Sequence, residues 1–291
     1  PEHVSASDRV ARTVEILPVL TPPKPTPPLA ARPKSLSVTA IDTYLRDPYA
    51  IYARHILKLK RLDPLDQNPG AADFGNIIHR ALEQYVARKE TTLGGLLDCG
   101  KVAFSQFIDR PAIACLWWPR FEGIAAWFME EDVKHASHIR ERCAEVESRW
   151  LISMSDKQFT LTTRIDRLDY NVDGTTRIID YKTGTLPTDS DIKRGFANQL
   201  ALEALIIKNG NVSEQTKRTD TPYILEYWKL GGNRDSCEIK VVNIELAECE
   251  ERLKNTIGKI ISPEMPFAAP LDPSHLPRYN DYEHLTRRQE W

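Results

Sequence analysis

No apolar run in this 291-residue sequence approaches the roughly 18 residues that a membrane-spanning helix needs. The first apolar stretch is short and broken by prolines, which speaks against a secretory signal peptide, and a cytoplasmic setting is the simplest expectation. Cysteine is scarce: five residues, at 99, 115, 143, 237 and 249, with no CxxC spacing and an odd total. That pattern argues against a disulfide framework or a structural zinc and for reduced thiols. A G-x-x-x-x-G-K-[ST] phosphate loop is missing, so this chain is not itself expected to hydrolyse ATP. An excess of one charge is missing too, because 39 Lys and Arg face 41 Asp and Glu for a net −2. The total announces no nucleic-acid binder, although local clusters matter more. Arg54, His55, Lys58, Lys60 and Arg61 form one such cluster, and Lys193 with Arg194 a smaller one. A solvated face is the plainer reading of each. The initiator methionine is also lacking, since the chain opens on Pro1, and a piece of a longer protein is the expectation.

What is present reads as a globular domain behind an extended leader. Hydrophobic residues make up 41% and charged residues 27% of the chain, ordinary values for a packed core. Residues 18 to 33 hold seven prolines, which lack backbone donors and favour polyproline conformation. Residues 1–34 are therefore expected to be a linker, or a strap over another domain's surface. Ser37 or Thr39 can cap a helix running to about Asp47, and Tyr49 to Leu57 resumes as helix after Pro48. Residues 72 to 90 place Phe74, Ile77, Ile78, Leu82, Tyr85 and Val86 on one helical face, and a largely helical stretch is expected from about 101 to 145. Trp117 and Trp118 within it suit core packing better than base stacking.

Beyond 145 the character changes. Gln158 to Tyr170 and Thr175 to Tyr181 are rich in β-branched residues and flank a Val172-Asp173-Gly174 loop. Asp189 to Lys208 reads as one helix closed by Asn209-Gly210. Strands at about 222 to 230 and 237 to 245 follow, then a helix from about 246 to 261. The succession predicts an α/β domain with a mixed central sheet flanked by helices. Its helical part covers about 35–145, its α/β core about 146–262 and a tail 263–291.

The chemistry lies in TTRIDRLDYNVDGTTRIIDYKTG. Asp180 and Lys182 are two apart and share a strand face. Where Asp166 points depends on the loop. A two-residue turn at Asp173-Gly174 sets Asp166 opposite Tyr181, on the wrong face. A three-residue loop with Gly174 left-handed pairs Asn171 with Thr175 and brings Asp166 across from Asp180; this is the expectation. Close carboxylates repel unless a cation lies between them, and hard oxygen ligands suit Mg²⁺ or Mn²⁺. With a lysine beside them they make a plausible phosphodiesterase centre. The plainer alternative is a pair of surface strands whose charges offset one another.

Residues 164 to 184, RIDRLDYNVDGTTRIIDYKTG, resemble the core of the RecB-like nucleases within the PD-(D/E)XK superfamily, and the likeness extends over roughly residues 35 to 291. Gly75 and His79 resemble that family's G-x-x-x-H helix, and Gln199 sits where the family has a glutamine after the catalytic strands. The likeness is greatest to the nuclease domain of AddB-type helicase–nuclease subunits in their alphaproteobacterial form, whose tail the closing YNDYEHLTRRQEW also resembles.

The resemblance implies that Asp166, Asp180, His79 and the backbone carbonyl of Tyr181 ligate Mg²⁺ or Mn²⁺. It makes Lys182 the catalytic lysine, has Gln199 position the DNA or that lysine, and gives Glu147 a supporting role. It further implies DNA, with a single-stranded end, as substrate and an AddA-type subunit as heterodimeric partner in processing double-strand breaks. Two departures stand out. Glu203 replaces a tyrosine frequent four positions after the glutamine. Asp47-Pro48-Tyr49 stands where a cysteine motif would open an iron–sulfur site, and the tail has no cysteine, so no cluster is expected. A catalytically silent scaffold that binds DNA or a partner is the main alternative. A metal-free hydrolase using Asp166 and Asp180 as an acid–base pair is the remoter one.

Overall fold

The computed structural model describes residues 21–62, 69–107, 110–154, 157–212, 222–232, 234–271, 276 and 280–288. Strand β1 (Ser35–Ser37) leads into α1 (Val38–Arg46), which Ser37 caps by accepting from the Ala40 amide at 3.1 Å. Asp47 caps α2 (Pro48–Ile51) in the same way, and a π turn over Tyr52–Ile56 replaces the regular helix expected there. Then come α3 (Ala71–Ala87), α4 (Leu93–Phe104) and α5 (Pro111–Ala136). The core follows as β2 (Ile139–Met154), β3 (Lys157–Asn171), β4 (Thr176–Lys182), α6 (Asp189–Arg194), α7 (Gln199–Asn209), β5 (Asn211–Val212), β6 (Tyr223–Lys229), β7 (Glu238–Val242), α8 (Leu246–Ile261) and α9 (Glu283–Thr286).

The described residues form a seven-stranded mixed sheet in the order β5-β2-β3-β4-β6-β7, with β1 parallel to β3. Only β4–β6 is a parallel pair within that order. Helices α3 and α5 cover one face through Ile77, Ile78, Phe121 and Phe128, packed on Ile179, Tyr181 and Trp228, and α4 packs against both helices. On the other face α7 sets Leu200, Ala204 and Ile207 against Leu168, Ile178 and Tyr227. Strand β4 lies between both layers and is buried from Thr176 to Tyr181, as a strand covered on both faces is.

Two boundaries differ from the sequence expectation. Strand β2 begins at Ile139, where the pattern predicts helix to about 145. Its Arg-, Glu- and Ala-rich first half has helical propensity, but it pairs with β3 as far as Asn171, and tertiary pairing overrides propensity. The single helix expected over Asp189 to Lys208 is two, because Gly195 takes a left-handed φ of 75° and closes α6.

Inside the helical layer lies a charged network. Arg167 and Asp169 are both fully buried and paired through bonds of 3.0 and 2.6 Å. Asp132 of α5 joins Arg167 at 2.8 Å and receives both terminal nitrogens of Arg142, at 2.8 and 2.9 Å. The Tyr85 hydroxyl of α3 adds a donor at 3.3 Å. Thus α3, α5, β2 and β3 are tied at one point.

The described part of the Pro-rich leader, residues 21–34, lies against this domain's own tail. Lacking donors of their own, Pro25 and Pro23 offer carbonyls that accept from the Phe267 and Ala269 amides at 2.9 Å each. Residues 1–20 lie outside the described residues. No helix among the described residues is long and apolar enough to cross a membrane.

Candidate active site

The β3–β4 hairpin closes with the three-residue loop. The Asn171 amide donates to the Thr175 carbonyl at 2.9 Å, and Gly174 has φ 87°. Paired residues run from Tyr170↔Thr176 to Arg167↔Ile179, and the ladder stops one step short of Asp166 and Asp180. On the other side of β3, Ala144↔Arg167 and Val146↔Ile165 bracket Asp166 and set Glu145 opposite it. Three carboxylates, Glu145, Asp166 and Asp180, therefore lie in the row where the regular ladders lapse.

Regular pairing gives way at this row. Glu145 has a left-handed φ of 52°. Ile165 and Leu168 face the same core cluster although three residues apart, so the strand's alternation breaks at Asp166 and Arg167. The freed Tyr181 amide donates instead to Asp166 Oδ2 at 2.8 Å, satisfying a donor that burial would otherwise orphan.

From α3, His79 brings Nδ1 to 3.3 Å from Asp166 Oδ1. Ligand atoms of His79, Glu145 and Asp166 all lie within 4.8 Å of one another. Burial, reinforced by the Asp166 charge, pushes Glu145 up to about 7 despite its contact with Arg164. Burial works against the His79 imidazolium, but the hydrogen bond and charge of Asp166 outweigh it and raise His79. A nitrogen and two carboxylates so crowded that one resists ionisation form a donor set that suits a hard or borderline divalent cation.

Beside this group, Lys182 Nζ lies 2.7 Å from Asp180 Oδ2 and donates to Asp180 Oδ1 and Gln199 Oε1 at 2.9 Å each. Burial works against its charge, yet Asp180 prevails and the lysine pKa is raised. Lys182 is thus held as an ammonium. Burial and the Asp166 charge push Asp180 up to about 6, although Lys182 opposes them. Gln199 Nε2 donates to Asp180 Oδ1 and, at 3.3 Å, to Glu203 Oε1. Burial, then Asp180 and Asp166, drives the Glu203 carboxyl well above the usual carboxylate range.

The expected residues therefore gather as two adjoining groups. His79 and Asp166 meet in one, and Asp180, Lys182 and Gln199 in the other. Asp180 is not among the three donors that come within 4.8 Å. Tyr181 contributes its amide to Asp166 while its ring packs near Phe128 and Trp228. Glu147 is exposed and pairs with Arg164 in the ladder; Glu145, two residues earlier, is the glutamate at the site. The register that joins Met154 to Lys157 runs on to this row, so extending that hairpin back along β2 is the signal that could have found it. Trp117 is buried against Phe74 and Phe107. The glycine one turn before His79 has a steric reason: a Cβ at Gly75 would lie 2.8 Å from Thr183 Oγ1, just past β4.

An uncharacterized protein of Rickettsia bellii is 27% identical over 271 residues, covering 87% of this chain and 32% of its own length. An ATP-dependent helicase/deoxyribonuclease subunit of Carboxydothermus hydrogenoformans is 26% identical over 205 residues, covering 61% of this chain and 19% of its own. The subunit of the same name in Clostridium perfringens strain SM101 is 29% identical over 220 residues, covering 62% and 18%. The chain thus spans about a third or less of these relatives' length. Residues 35–270 match the PD-(D/E)XK nuclease superfamily, a span that holds every residue of the two groups, and the chain belongs to that superfamily.

Proposed function

We propose that this domain hydrolyses phosphodiester bonds of DNA with Mg²⁺ or Mn²⁺ held by His79, Asp166, Asp180 and Glu145, the Tyr181 carbonyl completing the set. The observation that carries this reading is the convergence of α3, β2 and β3 on one cluster of donors beside a β4 lysine clamped by Asp180 and Gln199. When bound, such a cation offsets the carboxylate charge and polarises the scissile phosphate. The chain's own residues do the rest. Lys182, kept charged, faces the negative charge that grows on phosphorus and stabilises it. Gln199 fixes the ammonium by accepting from it while its nitrogen is tied to Asp180.

Relatives named as helicase/deoxyribonuclease subunits support a place in a cytoplasmic helicase–nuclease that trims double-strand-break ends for recombination, with an AddA-type subunit as partner. The test is incubation with labelled linear single- and double-stranded DNA, in Mg²⁺, in Mn²⁺ and in EDTA, beside Lys182→Ala. Cleavage that needs the metal and falls by about 10²-fold or more in the variant is the expected result. Cleavage that survives EDTA, or that the variant retains, would defeat the proposal.

A further inference from the structure

We infer that Glu203 is a positioning residue, holding the Gln199 side-chain amide in the orientation that turns its oxygen toward Lys182. The inference rests on the nuclease reading for its consequence in catalysis, but not for the geometry. A carboxamide can be turned end for end with little change of shape, so its neighbours decide which end faces where. Here one side of the Gln199 amide presents Oε1 to the Lys182 ammonium at 2.9 Å. The other presents Nε2 to two carboxyl oxygens, Asp180 Oδ1 and Glu203 Oε1. Turned round, the amide would set its oxygen against both acids and its NH₂ against the ammonium.

Asp180 alone is a poor anchor, because its Oδ1 also accepts from Lys182 at 2.9 Å. The second anchor is Glu203, one helical turn further along α7 and 1% exposed. It has little freedom to move, since the Thr163 hydroxyl of β3 donates to the same Oε1 at 3.1 Å. The chain Thr163–Glu203–Gln199–Lys182 thus runs from the middle of the sheet to the lysine. Among the described residues Glu203 makes no hydrogen bond to Lys182, and its hydrogen-bonded route to the ammonium runs through Gln199.

The test reads Lys182 directly. Metal-free wild type, Glu203→Met, Glu203→Gln and Thr163→Val are treated with an amine-acylating reagent, and modification of the Lys182 peptide is followed by mass spectrometry. A loosened Gln199 no longer stabilises the ammonium through its oxygen, so a larger fraction of Lys182 is the neutral, nucleophilic amine and Glu203→Met should be acylated several-fold faster than wild type. Glu203→Gln, which keeps an accepting oxygen, should return toward the wild-type rate. Thr163→Val removes only the hydroxyl holding Glu203 and should move labelling in the same direction as Glu203→Met; it decides the matter if the methionine variant does not fold. In DNA cleavage Glu203→Met should lose about tenfold in kcat with KM unchanged, as expected for a misplaced group, and Glu203→Gln should recover most of it. Equal labelling of Lys182 in wild type and the folded variants would overturn the inference, as would a rise in KM with kcat unchanged. Wild-type protein that cuts no DNA would defeat the nuclease reading instead, and this inference would then be decided by the labelling alone.

Discussion

Glu145 and Glu147 stand on the same strand two residues apart, and a period of two would give them the same surroundings. The backbone separates them. Glu145 adopts φ 52°, a conformation that costs a non-glycine residue roughly 1–3 kcal/mol and is most often kept where function requires it. Its carboxylate reaches His79 and Asp166, while Glu147 stays exposed. Glu145→Gln should therefore weaken Mn²⁺ binding by about 10–100-fold, the range in which metal sites respond to loss of a supporting group, and Glu147→Gln should leave it unchanged. Calorimetric titration decides this; equal affinities for the two variants would remove Glu145 from the site. Without metal the sign reverses. Glu145 is pushed up to about 7 by burial and Asp166, so the neutral amide should raise the melting temperature. Asp180 and Lys182 were legible in the sequence because a strand period puts them on one face, and the three-residue loop brings Asp166 within a step of them. Glu145 was not, because its role depends on a second register and on a local break in alternation that no periodicity announces.

At the scale of elements, most helices and strands announce themselves by period, and their exact contacts do not. Gly75 shows the difference. Its place in the G-x-x-x-H pattern was visible, but the atom that requires it, Thr183 Oγ1 at 2.8 Å from where a Cβ would sit, belongs to a turn remote in sequence. Gly75→Ala should push α3 off the end of β4 and carry His79 with it, at about 1–3 kcal/mol of stability, the usual range for overpacking. Thr183→Ala withdraws that oxygen, so the double variant should recover stability and Mn²⁺ affinity together. If denaturation shows the two losses simply adding, the close approach is not the cause. The RIDRLD segment is likewise shared between roles. Asp166 serves the site, whereas Arg167 and Asp169 enter the buried network with Asp132 and Arg142. Burial alone would raise Asp132, but Arg167 and Arg142 hold it below the ordinary aspartate value. A depressed carboxylate contributes stability above its unfolded value and loses it as pH falls through the folded one. Asp132→Asn should cost about 3–5 kcal/mol at neutral pH by leaving two guanidinium groups short of charge. It should cost less below the folded-state value, and urea denaturation across that range would show whether it does.

For the whole molecule, the open matter in the sequence was what the Pro-rich leader covers. Its composition dictates an extended chain with free carbonyls, and such a chain can accept from any surface with spare donors, so the partner was not legible. The donors turn out to be the domain's own. Arg32, 3% exposed, sends Nε to the Pro27 carbonyl at 3.1 Å and Nη1 to that of Ile260 at 3.0 Å. Its Nη2 reaches the carbonyls of Met265 and Pro263 at 2.8 and 3.1 Å, while the guanidinium lies over Phe267 at 5.1 Å. Further along, Asn280 donates to the buried Asp47 at 2.7 Å and Tyr282 to the Leu59 carbonyl at 3.0 Å. Leader and tail thus close on one another around α1, α2 and α8. Arg32→Met keeps the aliphatic stem and removes the four hydrogen bonds of the guanidinium. Hydrogen bonds from a charged donor are worth roughly 1.5–3 kcal/mol each, but they share one side chain whose desolvation is also relieved, so a net loss of about 2–4 kcal/mol is expected. The folded variant should retain its DNA cleavage rate, because neither donor group of the site contacts Arg32. If the leader were instead a strap for another domain, Arg32→Met would leave this domain's urea midpoint unchanged, and limited proteolysis would cut the leader of wild type and variant at the same rate.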